Sequence, residues 1–146
     1  MSDVEALSKA LAAEHAAVYA YGLMGARTTG SLRSKVAAAF AAHRARRDQL
    51  RALISSSGGR PAEPEATYAL PVVPANATEA VRLAVHVEAG ITAAYLELSA
   101  AAGAATRKLA ALAMQESVTR SYGFRPAITA FPGMPVKTTP PVTPSE

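Results

Sequence analysis

The chain has 146 residues, half of them apolar and only 5% aromatic, with no Trp and no Cys. One domain with a real but alanine-dominated core is expected, and disulfides, thiolate metal sites and thiol nucleophiles are excluded. Net charge is +4 and the pI about 9.7, with much of the basic charge in HRARRDQLR, residues 43–51. That run carries Asp48 and no accompanying nucleic-acid motif, so it reads as a solvated helix face and nucleic acid is not an expected partner.

Helix 1 is predicted over residues 2–26, opened by Ser2 and Glu5 at capping-box spacing. RTTG, residues 27–30, breaks it. Helix 2 follows from Ser31 to Ser56 and stops at SSSGGRP, where Ser, Gly and Pro cluster. The next stretch, RPAEPEATYALPVVPANAT, has four prolines and can be neither a helix nor a central strand. Some 17 extended residues reach ~55 Å, whereas a helix of 25 residues is only ~38 Å long. The connector can therefore carry the chain back along the whole bundle. Helix 3 is expected from Asn76 or Thr78 to Ala102, again with capping-box spacing at Asn76 and Glu79. Gly103 marks a turn, and helix 4 runs from Ala104 to Gly123. In the proline-rich remainder, Ile128, Phe131 and Met134 are expected to pack back on the bundle. Residues 1–135 form the domain and 136–146 a disordered Pro/Thr-rich tail. Two helical hairpins joined by one long crossover make an all-α four-helix bundle.

The apolar seams of these helices are interrupted. Helix 1 keeps its rhythm through Val4, Leu7, Leu11 and Val18, but position 14 is Glu. The corresponding interruptions are His43 and Arg47 on helix 2, Glu88 on helix 3, and Glu116 and Arg120 on helix 4. The halves also repeat. Glu14 stands seven residues before Tyr21, and Glu88 seven before Tyr95. Each second helix then carries an ionisable residue followed four positions later by arginine. A polar layer made of Glu14, His43, Arg47, Glu88, Glu116, Arg120, Tyr21 and Tyr95 is expected inside the bundle. His15 and His86 lie beside the seams and receive no role.

AEHAAVYAYG, AAHRARRDQL, YALP, the helix 3 Glu and a late AFPG, in that order, resemble a mostly actinobacterial family of ferritin-like domains of unknown function. The likeness covers residues 5–135. It implies a ferritin-like four-helix bundle, and in di-iron members of that superfamily six ligands: a Glu on helices 1 and 3 and Glu-x-x-His on helices 2 and 4. Glu14 and Glu88 match, and Glu116 stands as the helix 4 Glu. Thr119 replaces the following His, however, and His43 with Arg46 replaces the helix 2 motif. With three Glu and two Arg, protonated His43 brings the layer to zero net charge without metal. A divalent cation ~5 Å from an arginine would feel roughly 6 to 7 kcal/mol of repulsion at an effective dielectric of ~20. Arginine cannot escape by losing its charge.

The expected function is non-catalytic, with no cofactor, and acts in self-association, as a homodimer, through an Ala/Val/Leu-rich face. The alternative is a divergent di-metal oxidase or ferroxidase holding iron or manganese on Glu14, His43, Glu88 and Glu116. A third reading is a binding module using the basic face of helix 2. No catalytic triad pattern, phosphate-cradling loop or small-molecule substrate is legible. The N-terminus lacks an apolar signal core and no uncharged run reaches ~18 residues, so a cytoplasmic location away from the membrane is expected.

Overall fold

The computed structural model describes residues 2–135; the tail expected over 136–146 lies outside the described residues. Four helices make up the regular structure there: α1 Asp3–Gly25, α2 Gly30–Ser56, α3 Ala77–Leu98 and α4 Ala104–Phe124. No strand occurs among the described residues.

Local chemistry sets the helix ends. The Ser2 hydroxyl accepts from the Glu5 amide at 3.2 Å, and Glu5 accepts from the Ser2 amide at 2.7 Å. This reciprocal box satisfies two otherwise orphaned donors. Asn76 caps α3 with its side-chain oxygen, which accepts the Glu79 amide at 2.9 Å, while its side-chain amide donates to the Glu79 carboxylate at 3.1 Å. Gly30 begins α2 at φ +60, in the left-handed region that glycine tolerates. Helix α3 ends at Leu98, four residues before the expected Ala102. The Ser99 hydroxyl turns back onto the Leu96 carbonyl, and the amides of Ala100 and Ala101 reach back only three residues. That tight winding converts the last turn into the link to α4. Asp3 fastens this link to the start of α1 by accepting the amides of Ala102 and Gly103 at 2.9 and 3.1 Å.

Helices α1 and α2 form one hairpin, α3 and α4 the other, and α1 packs on α3; α2 and α4 touch only sparsely. The interfaces are lined by alanine, including Ala6, Ala10, Ala17 and Ala20 on α1 and Ala80, Ala84 and Ala110 opposite, all buried. Leu7, Leu11, Leu50, Ile54, Leu83, Ile91 and Leu98 fill the space between them. Alanine at the seams keeps helix propensity high while leaving little side-chain volume between helices. No described helix is long and apolar enough to cross a membrane.

The crossover, residues 57–76, is held to the α1–α2 hairpin. His15, buried on α1, donates Nε2–H to the Ala62 carbonyl at 3.0 Å. Arg51 pairs with Glu63 at 3.0 Å, and the Tyr19 and Tyr68 rings lie 5.5 Å apart. Leu70 and Val72 pack against the core. At Gly59 an added Cβ would stand 3.0 Å from both the Ile54 and Val4 side chains, so the crossover departs from α2 in close contact with them. After α4, the chain folds back along α3 and α4 as a strap, residues 125–135. Ile128, Phe131 and Met134 do not pack inward as expected; they are 66%, 76% and 56% exposed. The strap is seated instead through Gly133, at φ +86, where an added Cβ would lie 3.2 Å from the Thr92 carbonyl oxygen.

Candidate functional site

Glutamates 14 and 88 sit at mid-height of α1 and α3, which pack on each other, so both side chains point into the same interior level. His43, from α2, lies between them. Its Nδ1 is 2.5 Å from Glu14 Oε2 and its Nε2 is 2.8 Å from Glu88 Oε1. An ionised carboxylate only accepts hydrogen bonds, so each nitrogen facing one must carry a proton. The ring is then an imidazolium bridging two buried carboxylates. Burial opposes that charge most strongly, but the hydrogen bonds and negative charges of Glu14 and Glu88 together outweigh it and push the His43 pKa up to about 9.

The tyrosines cross between halves. Tyr21, on α1, donates its hydroxyl to Glu88 at 2.6 Å, and Tyr95, on α3, donates to Glu14 at 2.7 Å. Seven residues are two helical turns, so Glu and Tyr share a face of each helix, and each tyrosine reaches the other helix's glutamate. Burial, then the neighbouring glutamates, raise both phenol pKa values far above the ordinary range, which keeps them as donors. The Tyr21 ring also stacks on His43, centroids 5.4 Å apart and planes 15° from parallel.

Helix α4 completes the Glu88 side. The Ser117 hydroxyl donates to Glu88 Oε2 at 2.5 Å, and Arg120 Nη1 donates to the same oxygen at 3.2 Å. Glu88 thus accepts four side-chain donors, about its full capacity. Burial tends to raise its pKa, but His43, Arg120 and Ser117 hold it below the ordinary carboxylate value. Thr92 donates to the Glu88 main-chain carbonyl at 2.8 Å. No buried side-chain nitrogen or oxygen among the described residues lacks a partner. The formal charges of Glu14, Glu88, His43 and Arg120 sum to zero.

Six of the eight expected residues meet here: Glu14, His43, Glu88, Arg120, Tyr21 and Tyr95. Two do not. Glu116 is 51% exposed and pairs with Arg46 at the rim, 2.8 Å apart. Arg47 lies outside and pairs with its neighbour Asp48 at 2.9 Å. Each is one residue out of register. Residue numbers in the two halves differ by 74 for Glu14 and Glu88, for Tyr21 and Tyr95, for His43 and Ser117, and for Arg46 and Arg120. A slip of one residue turns a side chain about 100° around its helix. That rotation carries Glu116 and Arg47 from the interior to the surface. Strict application of the repeat identifies Ser117 and Arg46, which charge alone does not.

A di-metal centre needs carboxylates and imidazoles with free lone pairs. Here both nitrogens of His43 are engaged by carboxylates, Glu88 is saturated by four donors, and one of these is the guanidinium of Arg120. Beside Glu14 and His43 there is a gap of only about 10 Å³, room for roughly one water. Among the described residues no three His, Asp or Glu side chains are arranged to hold an ion. The donor set does not fit the centre implied by the resemblance. The basic run of α2 is largely matched as well: Arg46, Arg47 and Arg51 pair with Glu116, Asp48 and Glu63, and Arg44 lies 5.5 Å over the Phe40 ring.

Residues 6–136 match the model of one protein family, described as Domain of unknown function (DUF4439). Among solved structures, the chain is similar to the crystal structure of a conserved hypothetical protein from Mycobacterium tuberculosis. The two share 34% identity and a TM-score of 0.81 over 85% of this chain and 95% of that one. A comparison with functionally curated proteins gave no match.

Proposed function

We propose that this chain, which belongs to the DUF4439 family, is a ferritin-like bundle with an ionic layer where di-iron relatives hold metal. Its role is association rather than catalysis, as a homodimer in the cytoplasm. The observation that carries the reading is His43, with both ring nitrogens hydrogen-bonded to buried carboxylates from different helices. A charge network of this kind fixes helix register, because any sliding of α1 or α3 strands a buried ion. It also has no exposed base, nucleophile or open coordination position to offer a substrate.

The surface supports association. Leu112 and Tyr122 are exposed on α4, and α2 and α4 leave their shared edge largely open. Two experiments test the reading. Protein purified without chelator should contain no stoichiometric iron or manganese, and ferrous iron in air should oxidise at the background rate. A full equivalent of metal, or rapid protein-dependent oxidation, would overturn the metal-free layer. Sedimentation equilibrium should show a dimer that Leu112→Lys weakens; a monomer at every concentration would remove self-association.

A further inference from the structure

Below the strap lies a cavity of about 270 Å³ that the ionic layer does not use. Its walls are Val85, Ala89 and Val118 from α3 and α4, and the strap borders it at Ile128 and Pro132. Two further hollows, of about 290 Å³ each, are grooves between pairs of helices, one between α1 and α2 and one between α2 and α4. Glu88 forms part of the cavity wall, but it is 0% exposed and its oxygens are taken, so it presents no negative charge to the interior of the hollow. The other polar residues that line it are Ser121, Thr129, Arg125 and Thr92, whose hydroxyl is already donated to the Glu88 carbonyl. Arg125 has no side-chain partner among the described residues. By contrast, the cations of one helix groove are occupied, Lys35 on the Gly123 carbonyl and Arg120 on Glu88.

An apolar hollow bordered by two hydroxyls and by an arginine that has no side-chain partner among the described residues suits an amphipathic anion. We infer that this cavity binds a small amphipathic carboxylate, its hydrocarbon body between α3, α4 and the strap and its head on Arg125. Body burial supplies attraction without direction, and the charge-assisted hydrogen bond selects an anion over an alcohol of the same length. The strap is part of the site, because Gly133 seats it on Thr92 and Leu96. This inference stands apart from the reading of the ionic layer; either can fail alone.

Octanoate and octanol are the probes, titrated calorimetrically into the full chain. Octanoate binds one to one, and octanol at least about tenfold more weakly. Arg125→Gln lowers octanoate affinity to that of octanol. Ala89→Leu, a good helix former placed in the hollow, abolishes both. Gly133→Ala, which forces the strap off Thr92, weakens both. Amide signals of Val118, Ser121 and Thr129 in the unmodified protein shift on titration, a readout that survives any misfolded variant. Octanoate that fails to bind, binds no tighter than octanol, ignores Ala89→Leu, or shifts signals only on other helix faces overturns the inference.

Discussion

Glu14 and Glu88 occupy equivalent places in the two hairpins, yet they are held differently. Glu88 accepts a tyrosine, the histidine, a serine and an arginine. Among the described residues Glu14 accepts only Tyr95 and His43, and it borders the small gap whose rim is the Arg46–Glu116 pair. The divergence comes from the second helix of each hairpin. Arg120 reaches Glu88, while its repeat mate Arg46, equally buried, pairs with Glu116 instead of Glu14. His43 stands where the other half has Ser117, so a single imidazolium serves both glutamates. The lesson is that a repeated scaffold can share one buried cation between its halves, provided the remaining charge is balanced on one side by arginine.

The largest expected effect separates the two glutamates. Glu88→Ala leaves two cations, His43 and Arg120, facing a void and costs about 5 kcal/mol, whereas Glu14→Ala leaves one cation, His43, and the Tyr95 hydroxyl short of a partner and costs about 3 kcal/mol. Urea titrations of both variants check the order, and equal losses would break the comparison. Next is pH. The His43 pKa is raised above its unfolded value, so its contribution is fully present below about 6.5 and is lost as pH rises through about 9. The loss is roughly 3 kcal/mol across that window. His43→Gln should flatten the profile there, and a slope unchanged by this substitution would place the titrating group elsewhere. Glu88 acts in the opposite direction, its stabilisation disappearing as acid takes pH down through its depressed pKa.

A smaller effect sharpens the comparison by reversing it. Tyr95→Phe takes one of two donors from Glu14, whereas Tyr21→Phe leaves Glu88 with three. The first should cost about 3 kcal/mol and the second about 1.5 kcal/mol, within the range for hydrogen bonds to charged groups. Thermal melts of the pair decide it, and the opposite order would mean that donor number does not govern these sites. Smallest are the rim residues. Arg46→Ala and Glu116→Ala should each change stability by less than about 1 kcal/mol, and Arg47→Ala by less still, because these pairs lie near solvent. A large loss at Arg47 would restore it to the interior and remove the register correction.

The sequence shows the bundle more clearly than the site. Caps at Ser2 and Asn76, glycines at the breaks and a proline-rich connector long enough to cross the molecule locate the helices to within a few residues. Glutamate in an otherwise apolar seam marks the depth of the layer, and the Glu–Tyr spacing marks its repeat. Residues 116 and 117 are harder to separate. Helix α4 is so rich in alanine that its apolar period barely distinguishes faces, and a charge at 116 draws more notice than a serine at 117. The apolar residues of the strap mislead for a related reason. Composition says that Ile128, Phe131 and Met134 prefer burial, whereas a glycine with a close backbone approach decides which side of the strap faces the bundle.

The side-chain nitrogen resonances of His43, followed by NMR across pH, test the charged bridge most directly. Both nitrogens should carry protons at neutral pH, with a single transition near 9. A neutral ring at pH 7, or titration at or below 6.5, would mean that the glutamates are not joined by a cation and that the layer is built on other terms.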